Sequence, residues 1–360
     1  MSNTDSQRTR VAVIYGGRSP EHSVSCVSAG AVMSHLNPEK YEVIPVGITE
    51  AGTWTVGEPD PEKLRTVDRV LPVVEQREEL RLSVSPETRG QFYLADGTVH
   101  ATADVIFPVL HGTFGEDGTI QGLFELSGVP YVGTGVLSSA AGMDKEFTKK
   151  LMVAVGLPVT DEVVLRDGRE LGEDDRERLG LPVFVKPARG GSSIGISKVD
   201  TWAELAGAVE LARQHDSKVI VEAELVGAEV EVGVVEYPDG RVVASVPARL
   251  ENTGNSEEGF YGFETKYLDD VVTATVPAPF GPELTQQLQD LAVTAFRALN
   301  CEGLARVDFF VTAAGPVLNE INTMPGFTPI SMYPQVFAAS GLSYADLLDT
   351  LVQRGLTIHR

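Results

Sequence analysis

Apolar and polar positions along the chain fall into short runs that alternate between strand and helix spacing. Residues 11–15 form a continuous apolar run, and the Gly16-Gly17 turn leads into a helical spacing through Val32, Met33 and Leu36. Further apolar runs at Tyr41–Ile48, 105–110 and 129–132 predict strands, so residues 11–135 read as a small parallel sheet flanked by helices. Residues 57–98 hold many charges and prolines and read as a surface insertion. Beyond it, residues 145–155 predict a helix, and Val183–Pro187 and 195–199 predict strands. Thr201-Trp202-Ala203-Glu204 is a capping box opening a helix with Trp202, Leu205, Val209 and Ala212 on one face. Residues 282–300 predict a long amphipathic helix, and 344–354 another.

Two late apolar runs carry polar residues two apart. They are Gly303-Leu304-Ala305-Arg306-Val307-Asp308 and Leu318-Asn319-Glu320-Ile321-Asn322, separated by Thr312-Ala313-Ala314-Gly315-Pro316. The pattern predicts a β-hairpin. A turn centred on Ala314 sets Asp308 opposite Glu320 and Arg306 opposite Asn322, and strand alternation puts all four on one face. Ala305, Val307, Phe309, Val317 and Ile321 then form the core face. A bulge at Gly315 would slip this pairing by one residue. Two carboxylates, an amide oxygen and a guanidinium on one surface suit a hard divalent cation that keeps few protein carboxylates and takes phosphates besides. We read the face as a metal–phosphate site.

At 360 residues the chain has room for two or three domains. A hydrophobic fraction of 42% with 36 glycines fits a soluble α/β enzyme and excludes a disordered chain. The net charge of −22 argues against nucleic acid and anionic membranes as partners. It also makes individual lysines informative, because an acidic chain that handles a nucleotide must gather its cations locally. Cys26 and Cys301 are too few for a disulfide framework and lack metal-ligand spacing, so both read as core residues in a reducing cytoplasm. The first apolar run is too short for a signal segment or a membrane span.

Neither a P-loop nor a G-x-G-x-x-G dinucleotide turn occurs. Instead, Val185-Lys186-Pro187-Ala188-Arg189-Gly190-Gly191-Ser192-Ser193-Ile194-Gly195 places a lysine at a strand end before a flexible Gly/Ser loop. Such a loop can set an ammonium and backbone N–H groups around phosphates, though it is also an ordinary hairpin loop. Its Gly191-Ser192-Ser193-Ile194-Gly195 matches the nucleophile elbow of serine hydrolases, which requires strand–turn–helix. A strand is predicted after it, and His215 and His359 are poorly placed as triad partners. Serine hydrolase is the rival enzyme class.

Lys186 with its loop, Val221-Glu222-Ala223-Glu224-Leu225 with Glu229, and the Arg306/Asp308/Glu320/Asn322 hairpin together resemble the ATP-grasp fold. More narrowly, Gly16-Gly17-Arg18-Ser19-Pro20-Glu21-His22-Ser23-Val24-Ser25 resembles the N-terminal signature of D-alanine–D-alanine ligases. So does His111-Gly112-Thr113-Phe114-Gly115-Glu116-Asp117-Gly118-Thr119-Ile120-Gln121-Gly122, and Asn319-Glu320-Ile321-Asn322-Thr323-Met324-Pro325-Gly326-Phe327-Thr328 is similar to a second signature. The resemblance covers nearly the whole chain. It implies an α/β (α+β) ATP-grasp fold with an N-terminal Rossmann-like parallel-sheet domain, divided as residues 1–139, 140–222 and 223–360. It implies ATP-dependent ligation of D-alanine to D-alanine through an acyl phosphate, for peptidoglycan precursor synthesis, in a cytoplasmic homodimer. ATP is the co-substrate and a pair of Mg²⁺ ions, replaceable by Mn²⁺, the cofactor.

The resemblance also implies roles for single residues. Lys145, Lys186 and Lys266 match phosphate contacts, with Ser192 and Ser193 in the phosphate loop. Asp308, Glu320 and Asn322 match the metal ligands. Glu222 and the backbone of Ala223, Glu224 and Leu225 match adenine contacts, and Glu229 matches the ribose contact. Glu21 resembles the residue that holds the first D-alanine's ammonium, and His111 lies in a loop of the same pocket. Arg306 and Ser331 take the second D-alanine's carboxylate, while Arg306 and a backbone N–H near Gly326 face the developing oxyanion. Residues 252–268 resemble the family's mobile loop, which keeps water from the acyl phosphate. In that loop Tyr267 matches the tyrosine that bonds toward Ser192 and Glu21, and it favours an amine acceptor, which leaves D-alanine–D-lactate ligase as the nearest alternative. Gly262 stands where relatives carry aspartate.

Read without the resemblance, Lys145 is an exposed lysine at a helix start. Glu222 and Glu229 are then solvent-facing strand residues, and His111 is a hydrogen-bonded structural histidine. Glu116 and Asp117 read as loop-shaping groups outside the site. A non-catalytic ATP-binding regulator would have lost part of the metal set or the arginine, and this chain retains both.

Overall fold

The computed structural model describes residues 8–358, apart from residue 167, residues 192–193 and residues 252–272. Ser192, Ser193, Lys266, Tyr267 and the predicted loop 252–268 therefore lie outside the described residues. Near-continuous apolar runs make strands that are buried on both faces. Thr9–Gly16 pairs in parallel with Tyr41–Ile48 on one side and Val105–Val109 on the other, and Trp54–Val56 adds an antiparallel edge. One face, with Val11, Val13 and Phe107, packs against helix His22–His35 and helix Tyr344–Thr357. The opposite face, with Ala12, Ile14 and Ile106, packs against helix Thr119–Ser127.

Two predictions for this region change. The strand expected at 129–132 is a single parallel bridge, Ile106↔Tyr131. Pro130 has no N–H to extend the ladder, and Gly133 at φ +102° turns the chain. The insertion at 57–98 is not plain surface loop, because Leu80–Leu82, Gln91–Leu94 and Val99–Thr102 build a small antiparallel sheet.

A second sheet is antiparallel and joins Ser197–Val199, Val183–Pro187, Val219–Ala223 and Glu162–Leu165 in that order. Helix Leu205–Arg213 seals it with Leu205, Ala208, Val209 and Ala212. Trp202 precedes that helix, and half of the capping box forms: Glu204 Oε2 accepts from the N–H groups of Asp200 and Thr201, both at 3.1 Å. The strand that follows the Gly/Ser loop removes the nucleophile elbow, since no helix starts there.

The third sheet runs Thr273–Thr275, Ala248–Glu251, Ala228–Glu236, Leu304–Thr312, Gly315–Asn322, with Val242–Ala244 beside Ala228–Glu236. Helix Pro282–Ala298 buries Leu288, Ala292, Ala295 and Phe296 against it. The hairpin closes at Thr312↔Gly315 around a two-residue turn, Ala313-Ala314. Carried to the far end, that register would offset Asp308 from Glu320. A bulge at Asn319, where the pairing shifts between Asp308 and Phe309, restores Asp308↔Glu320 and Arg306↔Asn322. The predicted pairs are thus present for a reason the pattern did not contain. Between bulge and turn the faces exchange, so Leu318 is buried and Val317, expected in the core, is only partly so.

The turn after the hairpin ends on Phe327, which is fully buried. Its ring centroid lies 5.8 Å from that of Phe107, 5.5 Å from Tyr333 and 6.2 Å from Tyr344. Phe327 N donates to Ser28 Oγ at 3.2 Å, and Tyr344 Oη donates to Phe327 O at 2.6 Å. One residue, through its ring and its main chain, therefore fastens the hairpin to the N-terminal sheet. Phe327→Ala should destabilise the fold by about 3–5 kcal/mol. A lower urea midpoint at unchanged slope is the expected measurement.

Candidate active site

A cleft of about 580 Å³ lies between these sheets, and Arg306, Asp308, Glu320 and Asn322 line it together. Strand alternation within a corrected register brings them there. Arg306 Nε donates to Asp308 Oδ1 at 2.8 Å and Arg306 Nη2 to Asp308 Oδ2 at 2.7 Å, a bidentate fork. The neighbouring strand supplies Glu231, whose Oε2 lies 3.1 Å from Arg306 Nε. Burial alone would lower the guanidinium's pKa, yet Asp308 and Glu231 hold it well above its ordinary value. Asn322 Nδ2 donates to Asp308 Oδ2 at 2.9 Å.

This donor set can be tested against a cation. Among the described residues, no group of three His, Cys, Asp or Glu side chains is arranged to hold a metal. Two carboxylates and one amide converge instead, which is too few for a self-contained cage and suits Mg²⁺ completed by substrate phosphates. Lys145 stands beside them: its Nζ lies 3.8 Å from Glu320 Oε2 and donates to Gly190 O at 3.0 Å. Asp144 caps the helix that Lys145 begins, accepting from Phe147 N at 3.4 Å. Lys145 is 13% exposed at its side chain, so it is not a solvated helix-start lysine.

Lys186 Nζ lies 2.5 Å from Glu222 Oε2. Lys149, which pattern reasoning passed over, contacts the other Glu222 oxygen and lies 3.1 Å from Glu162 Oε2. Burial alone would raise the Glu222 carboxyl, but Lys186 and Lys149 hold it down to about 2. Glu222 is thus a buried, doubly paired anion and not a solvent-facing strand residue. Ala223, Leu225 and Glu229 line the same end of the cleft with Phe184 and Ile196, whereas the Glu224 side chain pairs with Lys198 at 2.8 Å.

The other end gathers Glu21, His111, Glu116, Gly326 and Ser331. A Cβ on Gly191 would stand 2.9 Å from Glu21 Oε2, and one on Gly112 would stand 2.3 Å from it, so both glycines give Glu21 its room. His111 Nδ1 faces Met324 O at 3.0 Å and must donate, which leaves Nε2 to accept from Ser28 Oγ at 3.3 Å. Burial pushes its pKa down. Both ring nitrogens are engaged within the protein, as the structural reading of His111 expects. Ser331 Oγ accepts from Thr328 N at 3.0 Å and does not cap the helix it precedes.

Glu116 is the residue the sequence reading left out of the site. Its oxygens accept from Gly112 N at 2.8 Å and Met324 N at 3.0 Å, joining the histidine loop to the hairpin's exit. That is the loop-shaping role expected, but performed inside the cleft. Burial first, and the charge of Glu21 second, raise this carboxyl from 4.5 to about 8 against the pull of the two N–H groups.

A cleft between two antiparallel sheets, lined by a carboxylate hairpin and by lysines from two further elements, defines an ATP-grasp enzyme. Known families place it more closely. The family described as "D-ala D-ala ligase N-terminus" matches residues 10–134, and "D-ala D-ala ligase C-terminus" matches residues 151–353. A D-alanine–D-alanine ligase of Corynebacterium efficiens is 70% identical over 356 residues, covering 99% of each chain. One from Mycobacterium sp. is 59% identical over 97% of this chain and 98% of its own. Among solved structures, a D-Ala:D-Ser ligase from Enterococcus faecalis has a TM-score of 0.84 at 37% identity, over 98% of this chain and 100% of that one. The D-alanine–D-alanine ligase from Coxiella burnetii has 0.83 at 32%, over 98% and 94%. The chain belongs to the D-alanine–D-alanine ligase family.

The raised Glu116 pKa has a stability consequence with a definite sign. Above 4.5 the unfolded chain sheds this proton while the folded protein keeps it to about 8. The folded state binds more protons in that window, so this group's contribution to stability falls as pH rises through it. Glu116→Gln removes the slope. The variant's Tm minus the wild-type Tm should become more positive from about pH 5 to about pH 8.

Proposed function

We infer that this protein joins two D-alanine molecules to D-alanyl-D-alanine with conversion of ATP to ADP and phosphate, supplying a peptidoglycan precursor. The carrying observation is the single hairpin face on which Arg306, Asp308, Glu320 and Asn322 meet Lys145 in one cleft. The carboxylate of one D-alanine attacks the γ-phosphate of ATP, giving an acyl phosphate and ADP. The amine of the second then attacks the acyl carbon, and phosphate leaves from the tetrahedral intermediate. Phosphoryl transfer is chiefly positioning and charge neutralisation, which is what this arrangement offers.

In this reading Lys145 and Lys186 receive phosphates, and Glu222, Ala223, Leu225 and Glu229 receive adenine and ribose beside Phe184. Lys186 would exchange its contact with Glu222 for the nucleotide, and Lys149 keeps Glu222 paired when it does. Asp308, Glu320 and Asn322 would hold a pair of Mg²⁺ ions, which neutralise charge on the transferring group. Glu21 takes the first D-alanine's ammonium. Arg306, with Gly326 N–H, faces the oxyanion and, with Ser331, the second carboxylate. Ser192, Ser193, Lys266 and Tyr267 complete the proposal from outside the described residues. A cytoplasmic homodimer is part of the same reading, which rests on the family; among the described residues no helix is long and apolar enough to cross a membrane.

ADP release should depend on D-alanine and not on L-alanine, D-lactate or D-serine. Release without D-alanine, or faster release with D-lactate, would overturn the assignment. Glu320→Gln should lower turnover by far more than about tenfold while the circular dichroism spectrum is kept. A second substitution separates the substrate sites. Arg306→Lys keeps the charge but loses the planar fork that grips Asp308. The KM for the second D-alanine should rise and kcat fall, each by at least roughly tenfold, with ATP affinity nearly unchanged. Loss of ATP binding with the D-alanine KM preserved would move Arg306 to the nucleotide site.

A further inference from the structure

Behind the cleft, and not lining it, Lys218, Asp144 and Glu146 are buried together, at 7%, 7% and 2% exposure. Lys218 Nζ donates to Asp144 Oδ1 at 2.7 Å, to Asp144 Oδ2 at 2.5 Å and to Glu146 Oε2 at 2.9 Å. It also lies 5.0 Å from the Phe147 ring centroid. The other Glu146 oxygen accepts from Lys150 at 2.6 Å and from Arg166 at 3.3 Å. Buried ions are an inefficient way to stabilise a fold, because desolvation offsets most of their attraction, and apolar side chains of similar volume serve as well. They are well suited to fixing direction, since each donor requires its own acceptor.

What this cluster fixes is the first turn of helix Lys145–Ala154. Asp144 is that helix's cap, and Lys145 is its first residue. The main chain makes the same connection a second time. Lys145 N donates to Ala188 O at 3.0 Å, and Ala188 N donates to Lys218 O at 2.9 Å. Ala188 begins the Gly/Ser loop, and the next residue, Arg189, forks onto Asp216 through Nε at 3.0 Å and Nη2 at 2.7 Å. Asp216 Oδ1 in turn accepts from Lys218 N at 3.0 Å. Lys218 thus touches both elements that deliver groups to the phosphate end of the cleft.

We propose that Lys218 is a positioning residue for ATP: its ammonium locks the first helical turn so that Lys145 Nζ stands between the Gly190 carbonyl and Glu320. The proposal rests on the reading of Lys145 as a phosphate contact. A double-mutant cycle in the full-length enzyme separates the two. Lys218→Met keeps the stem and deletes the ammonium. It should raise the KM for ATP by about tenfold and leave the KM for D-alanine within about twofold, a split that general loosening of the fold would not give. Lys145→Ala should also raise the KM for ATP. On that background Lys218→Met should add less than about threefold, because both changes then act through one lost group.

If Lys218→Met fails to fold, Asp144→Asn takes its place, since the amide oxygen can still cap the helix while the anion is gone. The same ATP-selective, non-additive pattern is expected from it. Lys145→Ala with an unchanged KM for ATP would overturn the phosphate reading and leave Lys218 nothing to position. An effect of Lys145→Ala without one of Lys218→Met or Asp144→Asn, fully additive effects, or an equal rise in the KM for D-alanine would overturn the positioning role alone.

Discussion

The fork between Arg306 and Asp308 sets the constraint under which the rest of the site is built. A guanidinium buried in a sheet demands anions within reach, and the register supplies them: Glu231 pairs with Asp308 across one strand boundary, and Gly233 with Arg306. Glycine opposite the arginine leaves space where a side chain would meet Phe337, since a Cβ there would lie 2.7 Å from its ring. Arg306 carries one positive charge against two carboxylates, so this part of the cleft is short of positive charge when empty. Glu320 deepens the shortage on the facing strand. On the proposed reading such a site is electrostatically complete only when cations arrive, and the nucleotide's phosphates then follow without repulsion from the carboxylates.

The same economy appears at the nucleotide end. Lys186 is held on Glu222, and on the proposed reading its charge is matched by that anion until the nucleotide replaces it. Lys149 makes that exchange tolerable, because a buried Glu222 left with no cation would be costly. Cations here come in pairs, one facing the cleft and one behind it: Lys186 with Lys149, and Lys145 with Lys218.

Much of this was legible in the sequence. The parallel sheet, the strands on either side of the Gly/Ser loop, five of the helices and the hairpin quartet followed from periodicity, and the family signatures supplied roles that spacing alone left open. The hairpin shows where pattern reading stops: its pairs were right although the turn is tighter than expected and the bulge sits at Asn319 and not at Gly315, because the two one-residue register offsets cancel. Val317 betrays the cancellation. Lys149, Lys218 and Glu231 were missed for a common reason. Each is a charged residue that a pattern assigns to solvent, and only the approach of a distant strand or loop turns it inward. His111 was ambiguous for a similar reason, since its partners Ser28 and Met324 lie far from it in sequence.

The covering of the parallel sheet bears on the order in which the molecule can be made. Its inner face, formed within the first 110 residues, is closed by Leu347, Leu348, Leu351 and Val352 of the last described helix. Asp349 also accepts from Tyr41 Oη at 2.6 Å across 308 positions of chain. A nascent chain leaving the ribosome therefore carries only helix His22–His35 over this face, and the second half of its cover is missing until residues 347–352 have been made. Those contacts of high sequence separation form late and slowly, and the part of the face left uncovered is meanwhile open to association. Anything that slows translation between residue 110 and residue 352 lengthens that interval.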